Sequence, residues 1–149
     1  MFLDHLLSAG GISGSGMKAE RLRMEVIANN IANANSTRTP EGGPFRRKEV
    51  VFEAILQNAQ QKSFDPARGR NFGGVEAVDI VEDLTEMPRI HNPGHPDADE
   101  EGFVTMPNVN LPIEMVNLVT ATRAYEANLK AAQTMTEMAE QSFNLLSSA

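Results

Sequence analysis

The chain is predicted to be mainly α with a small β component: N- and C-terminal helices paired as an antiparallel coiled coil, with a small β-rich central extension. Three observations predict it. Leu111 to Leu146 holds a helical apolar repeat with no Gly and a single Pro, in its first turn. A second helical pattern occupies the first third, and Gly and Pro gather between the two among short alternating β-branched stretches. Residues 1–36 and 111–149 therefore make one discontinuous helical domain, and residues 37–110 the extension.

The first helix has a weak beginning. Gly10, Gly11, Gly14 and Gly16 interleave with Ser13 and Ser15, and each Gly costs about 1 kcal/mol relative to Ala in a helix, so this part orders late or on contact. From Met17 the pattern is firm. Ala19, Leu22, Val26 and Asn29 form one stripe, Met24, Ile27 and Ile31 an adjacent one, and Lys18, Arg21 and Glu25 the wet side. The run Asn29, Asn30, Asn33, Asn35 is costly inside a helix, because each amide competes with the backbone. Its amides are expected either to bond a partner helix or to cap the exit.

Thr37 to Pro44 is a loop by composition. Phe45 to Leu56 holds a strand around Val50, Val51 and Phe52, and residues 57–74 are a flexible polar loop. Val75 to Leu84 alternates as a strand with no purely apolar face, the mark of a thin, two-sided sheet that takes its cover from elsewhere. Pro88–Ile90 and Phe103–Met106 are short strands around the turn-rich HNPGHPDADEEG.

In the last helix Asn110 is the predicted N-cap and Pro112 sits in the first turn, where its missing N–H costs nothing. With Met115 at heptad position a, the a/d seam is Met115, Leu118, Thr122, Tyr125, Leu129, Ala132, Thr136, Ala139, Phe143 and Leu146. From the second turn onward Arg123, Glu126, Lys130, Glu137 and Glu140 fall at b or e. Positions c and g carry a second stripe of small or soft residues, among them Asn117, Ala121, Ala124, Asn128, Ala131 and Met135. Two helices meeting along one seam bury too little area to offset their ordering entropy. The second stripe is therefore expected to be covered by other molecules, making a weakly ordered monomer and a well-ordered assembly.

Composition narrows the function. A net charge of −7, from 13 Lys and Arg against 20 Asp and Glu, opposes a general nucleic-acid partner. The absence of Cys removes disulfides, thiolate metal sites and a Cys nucleophile. No apolar run is long enough for a membrane span. The start, MFLDHLLSAGG, has an acid where a cleaved signal peptide carries positive charge and lacks its apolar stretch, so export by that route is not expected. No catalytic motif is present and no cofactor is implied. Two other readings stay open. His91, His95, Asp97 and Asp99 are the only metal-site candidates, and the acids of this segment partly copy a calcium loop whose last ligand position is Asn108. A cytoplasmic coiled-coil adaptor would carry similar helices.

Four stretches share a further likeness: ANNIANANS (28–36), PFRRKEVVF (44–52), NPGHPDADEEGFVTMPNVN (92–110) and EMVNLVTATRAYEANLKAAQTM (114–135). Together they resemble the axial family of flagellar rod and hook proteins, and within it the proximal rod members. That resemblance implies a structural, non-enzymatic subunit of the bacterial flagellar basal body. It would self-assemble helically through its terminal helices into the torque-transmitting drive shaft around the export channel. The implied partners are other copies of itself, other proximal and distal rod proteins and the flagellar type III export apparatus. The implied location is the periplasmic rod, reached without a cleaved signal peptide. Carried onto this sequence, the motif positions are Asn30, Ala32 and Asn33, then Pro107, Asn108 and Val109, then Met115, Asn117, Tyr125 and Asn128. With the apolar stripes added, the expected assembly residues are Leu22, Val26, Asn30, Asn33, Pro107, Asn108, Met115, Asn117, Leu118, Tyr125, Asn128, Leu129 and Phe143.

Overall fold

The structure is a computed structural model that describes residues 2–56 and 72–147. Its elements are α1 (Phe2–Ala32), β1 (Lys48–Leu56), β2 (Phe72–Glu82), β3 (Arg89–His91), β4 (Phe103–Thr105) and α2 (Leu111–Ser147). The chain is mainly helical with a little β structure. At 1.5 Å per residue the 37 residues of α2 extend about 55 Å. Of the polar loop expected at 57–74, residues 57–71 lie outside the described residues. Residues 72–74 open β2 instead of belonging to a loop.

β1 and β2 form one two-stranded sheet, β3 and β4 another. The Asp83 N–H, just past the end of β2, donates to the Arg47 carbonyl just before β1 (2.8 Å), so β1 and β2 run in opposite directions. In the second sheet Arg89, Ile90 and His91 face Thr105, Val104 and Phe103 in antiparallel register. Five apolar side chains of the first sheet, Val51, Ile55, Val78, Ile80 and Val81, are exposed, while Val50 of β1 is buried.

The chain divides into two compact units, one of residues 1–22, 52–78 and 122–149, the other of residues 23–51 and 79–121. In the first, the Gly-rich start of α1 is helix, and Ser13, Gly16 and Ala19 are its inner surface. Ser13 and Ala19 are buried, and Gly16 lies so close to α2 that a Cβ there would stand 3.0 Å from the Asn128 amide. Beside it in the chain, the Ser15 hydroxyl accepts from the Val75 N–H (3.1 Å) and donates to the Ile12 carbonyl (2.7 Å). Gly74, at φ 113°, lies against that same hydroxyl and leaves no room for a side chain.

The second unit holds most of the apolar core of the described residues: Val26, Ile27, Phe45, Val50, Val104 and Ala121. α1 ends in a turn in which Asn33 donates to the Asn29 carbonyl (2.9 Å) and accepts from Ser36 (3.1 Å). Thr39 to Gly43 closes on itself through the Thr39 N–H and the Gly43 carbonyl (2.8 Å), with Gly42 and Gly43 at positive φ. Asn110 caps α2 as predicted, its side-chain oxygen accepting from the Ile113 N–H (3.3 Å).

One expectation about α2 is corrected. The seam positions Met115, Leu129 and Phe143 are 52%, 40% and 70% exposed. The covered side is instead the small-residue stripe, with Glu114 and Ala121 buried and Asn117, Ala124, Asn128, Ala131 and Met135 half-buried. Leu118, Tyr125, Ala132 and Ala139 at d are also half-buried, so the inward face is g and d, with c alongside, and a is mostly outward. Where the approach is closest, Gly16 leaves room on α2 for the Asn128 amide and for nothing larger at its own position.

Candidate assembly surface

The first turn of α2 carries an acid, which suits the positive end of a helix dipole. Here the acid is also buried. Glu114 is 1% exposed and Asn30 of α1 is 0% exposed, and these are the two largest fully buried side chains among the described residues. The Asn30 amide donates to the Lys48 carbonyl (2.8 Å) and accepts from the Lys48 N–H (2.9 Å), docking on β1 as a neighbouring strand would. It also donates to Glu114 Oε2 (3.1 Å). Glu114 Oε1 accepts from Arg47 Nε (2.9 Å) and from Asn117 Nδ2 (3.3 Å).

Arg47 extends this set. Its Nη1 lies 3.3 Å from both Glu49 and Asp83, and its backbone N–H donates to Asn108 Oδ1 (2.8 Å). Asn108 Nδ2 in turn donates to the Asp83 carbonyl (2.9 Å) and the Thr85 hydroxyl (3.0 Å). Burial alone would lower the guanidinium pKa, but the bonds and charges of Glu114 and Glu49 outweigh it and raise it above its ordinary value. Asp83 is held below the ordinary carboxylate range, first by the Thr85 N–H and hydroxyl and then by Arg47. The set binds the end of α1, the start of β1, the segment after β2 and the start of α2 through directional bonds.

The four metal-site candidates do not converge. His91 stacks edge-on against Phe103, centroids 5.0 Å apart. His95 Nδ1 accepts from the Asp97 N–H (3.1 Å), and Asp97 accepts from Thr37 (2.8 Å). Asp99 closes its own turn, accepting from the N–H groups of Phe103 (2.7 Å) and Glu101 (3.1 Å) and pairing with Arg89. The Phe103 N–H leads the causes that lower the Asp99 pKa. Among the described residues no three His, Asp or Glu are placed to hold a metal ion, and no helix is long and apolar enough to cross a membrane.

The expected assembly residues separate into two groups. Val26, Asn30 and Pro107 are buried within the chain, and Leu22, Asn33, Asn108, Asn117, Leu118, Tyr125 and Asn128 are half-buried. Met115, Leu129 and Phe143 face outward. Beside them stand residues absent from that set: Ile113, Val116 and Val119, 55%, 64% and 53% exposed, on the outer side of the first turns of α2. Among the described residues seventeen large apolar side chains are exposed, whereas seven apolar residues are buried.

Sequence reasoning also missed Glu114 and Arg47. A signal for Glu114 was present, since it is the one charged residue of α2 outside the b/e strip. For Arg47, one of three consecutive basic residues, no periodicity separates it from its neighbours.

Two family models match the chain: "Flagella basal body rod protein" over residues 12–38 and "Flagellar basal body rod FlgEFG protein C-terminal" over residues 100–145. Three relatives bear the name flagellar basal-body rod protein FlgC. That of Borreliella burgdorferi is 40% identical over 133 residues, covering 83% of this chain and 86% of its own length. That of Salmonella typhimurium is 38% identical over 133 residues, with 89% and 92% covered. That of Aquifex aeolicus is 40% identical over 141 residues, with 93% and 95% covered.

Proposed function

The chain belongs to the FlgC family of flagellar basal-body rod proteins, and from that premise we propose how it serves as a structural subunit of the rod. Its terminal helices pair antiparallel as a coiled coil and assemble helically with other copies and with other proximal and distal rod proteins around the export channel. Residues 37–110 form an extension beside this helical domain. Torque passes through packed surfaces and no reaction is catalysed. The chain reaches the periplasmic rod through the flagellar type III apparatus with its N-terminus uncleaved.

Two contacts support the antiparallel pairing. Gly16 lies against Asn128 in one unit, and Asn30 bonds Glu114 in the other. The order along α2 is the reverse of the order along α1. The observation that carries the assembly reading is the outer side of the first turns of α2, where Ile113, Met115, Val116 and Val119 stand exposed together. An exposed apolar cluster of this kind marks a surface that another molecule covers.

Removing Phe143 to Ala149 tests the reading. It deletes an exposed aromatic of α2 and is expected to abolish incorporation into basal bodies and motility while the chain still accumulates. Normal rods built from the truncated chain would refute it.

A further inference from the structure

Among the described residues the two largest fully buried side chains are polar, where a core of leucines would hold the same elements together with no desolvation penalty. Replacing a buried ion pair by apolar residues is often neutral or stabilising. What such a pair supplies and an apolar core does not is a single permitted arrangement.

The geometry here has that property. Asn30 fills both backbone groups of Lys48 and keeps one N–H, which Glu114 takes. Glu114 offers its other oxygen to Arg47, whose backbone N–H is held by Asn108. A slip of α2 by one residue rotates it by about 100°. That would carry the Glu114 carboxylate away from Arg47 and Asn30, leaving charged and polar groups buried without partners. Ala121, the next buried residue on this side of α2, would resist such a slip far less, because apolar contact is not directional. The outer side of the same turns carries Ile113, Val116 and Val119. Whatever fixes the rotation of the inner side fixes their direction too.

We propose that Glu114, Arg47 and Asn30 are positioning residues that set the rotational register of the first turns of α2, and thereby decide whether Ile113, Val116 and Val119 meet the neighbouring rod subunit. The inference rests on the rod-subunit reading above. For the Arg47–Glu114 pair that role is specificity of fit more than stability: a subunit with apolar residues in place of both folds, yet offers its outer surface at shifting angles.

The test replaces the chromosomal copy with the full-length double variant Arg47→Met/Glu114→Leu and measures accumulation, protease resistance of the purified chain and incorporation into isolated basal bodies. The expected result is wild-type accumulation and protease resistance with incorporation reduced at least tenfold. Incorporation in proportion to accumulation would overturn the proposal. If the double variant does not accumulate, Glu114→Gln carries the same comparison, since it keeps the shape and one acceptor oxygen: incorporation falling further than accumulation supports the proposal, and the two falling together overturn it. The truncation that removes Phe143 to Ala149 runs in parallel. If it too incorporates normally, the rod-subunit mechanism fails; if it is excluded while the double variant enters, only the positioning role fails.

Discussion

Gly14 and Gly16 stand two residues apart in one helix, and replacing each by Ala gives different expectations. In α1 either change gains about 1 kcal/mol from intrinsic helix preference. At Gly14 a Cβ meets nothing within 4 Å, so the whole gain is kept. At Gly16 the Cβ would lie 3.0 Å from Asn128 Nδ2 and Oδ1 and 3.1 Å from its Cγ. The Asn128 amide is held by its bond to the Ala124 carbonyl (2.9 Å), so relief requires breaking that bond or parting the helices. Either costs about 1–2 kcal/mol, which cancels or exceeds the gain. The difference between the two variants is therefore about 1–2 kcal/mol, and at 2–4 °C per kcal/mol their melting midpoints differ by about 2–8 °C. Far-ultraviolet circular dichroism of the two purified full-length chains on heating reads this directly. Equal stabilisation by both would mean that close approach to α2 is not what keeps position 16 a glycine. Destabilisation by Gly14→Ala would mean that α1 is not helical there.

Three further outcomes follow from the same contacts. Gly74→Ala is expected to lower stability by more than about 2 kcal/mol, because φ 113° is strained for any side chain and the Cβ would collide with the Ser15 hydroxyl; pairing it with Ser15→Gly should recover the collision part but not the backbone part, as thermal melts of the single and double variants would show. Asn30→Ala removes three hydrogen bonds from a fully buried site and is expected to cost about 3 kcal/mol at about 1 kcal/mol each; a loss under about 1 kcal/mol by denaturant titration would contradict the bonding described. Asp83 and Asp99 both have carboxyl pKa values lowered in the fold, so their contribution is present above the unfolded value of about 3.9 and is lost as pH falls through the folded values. Stability is therefore expected to be level above about pH 5 and to fall below about pH 4 through these groups, and Asp83→Asn/Asp99→Asn should flatten that fall.

The strands and helices were legible because each is written in its own local pattern. Alternation in Val75 to Glu82 and the unbroken repeat after Asn110 are properties of neighbours in the chain. The two roles suggested for the Asn run were legible as alternatives, and both occur: Asn33 caps the exit while Asn30 bonds α2 and β1. The short strands around the HNPGHPDADEEG turn were found to within a residue or two, yet their acids read as metal ligands when they are turn-formers. A carboxylate that accepts from the backbone two and four residues on, as Asp99 does, has the same spacing as one that awaits a cation.

What the sequence determined by itself was the mainly helical class, the limits of the last helix, the family likeness and the excess of apolar faces, because periodicity and composition are read along one chain. Which face turns inward was decided only by the tertiary structure. Position a looks like a seam, but Met115, Leu129 and Phe143 are exposed while Glu114 and Ala121 at g are buried, because the inward side is chosen by what it packs against, as Gly16 is by its closeness to Asn128. The same holds for Glu114, whose burial depends on Arg47 and Asn30, residues 67 and 84 positions away along the chain. No local pattern encodes a bond across that separation.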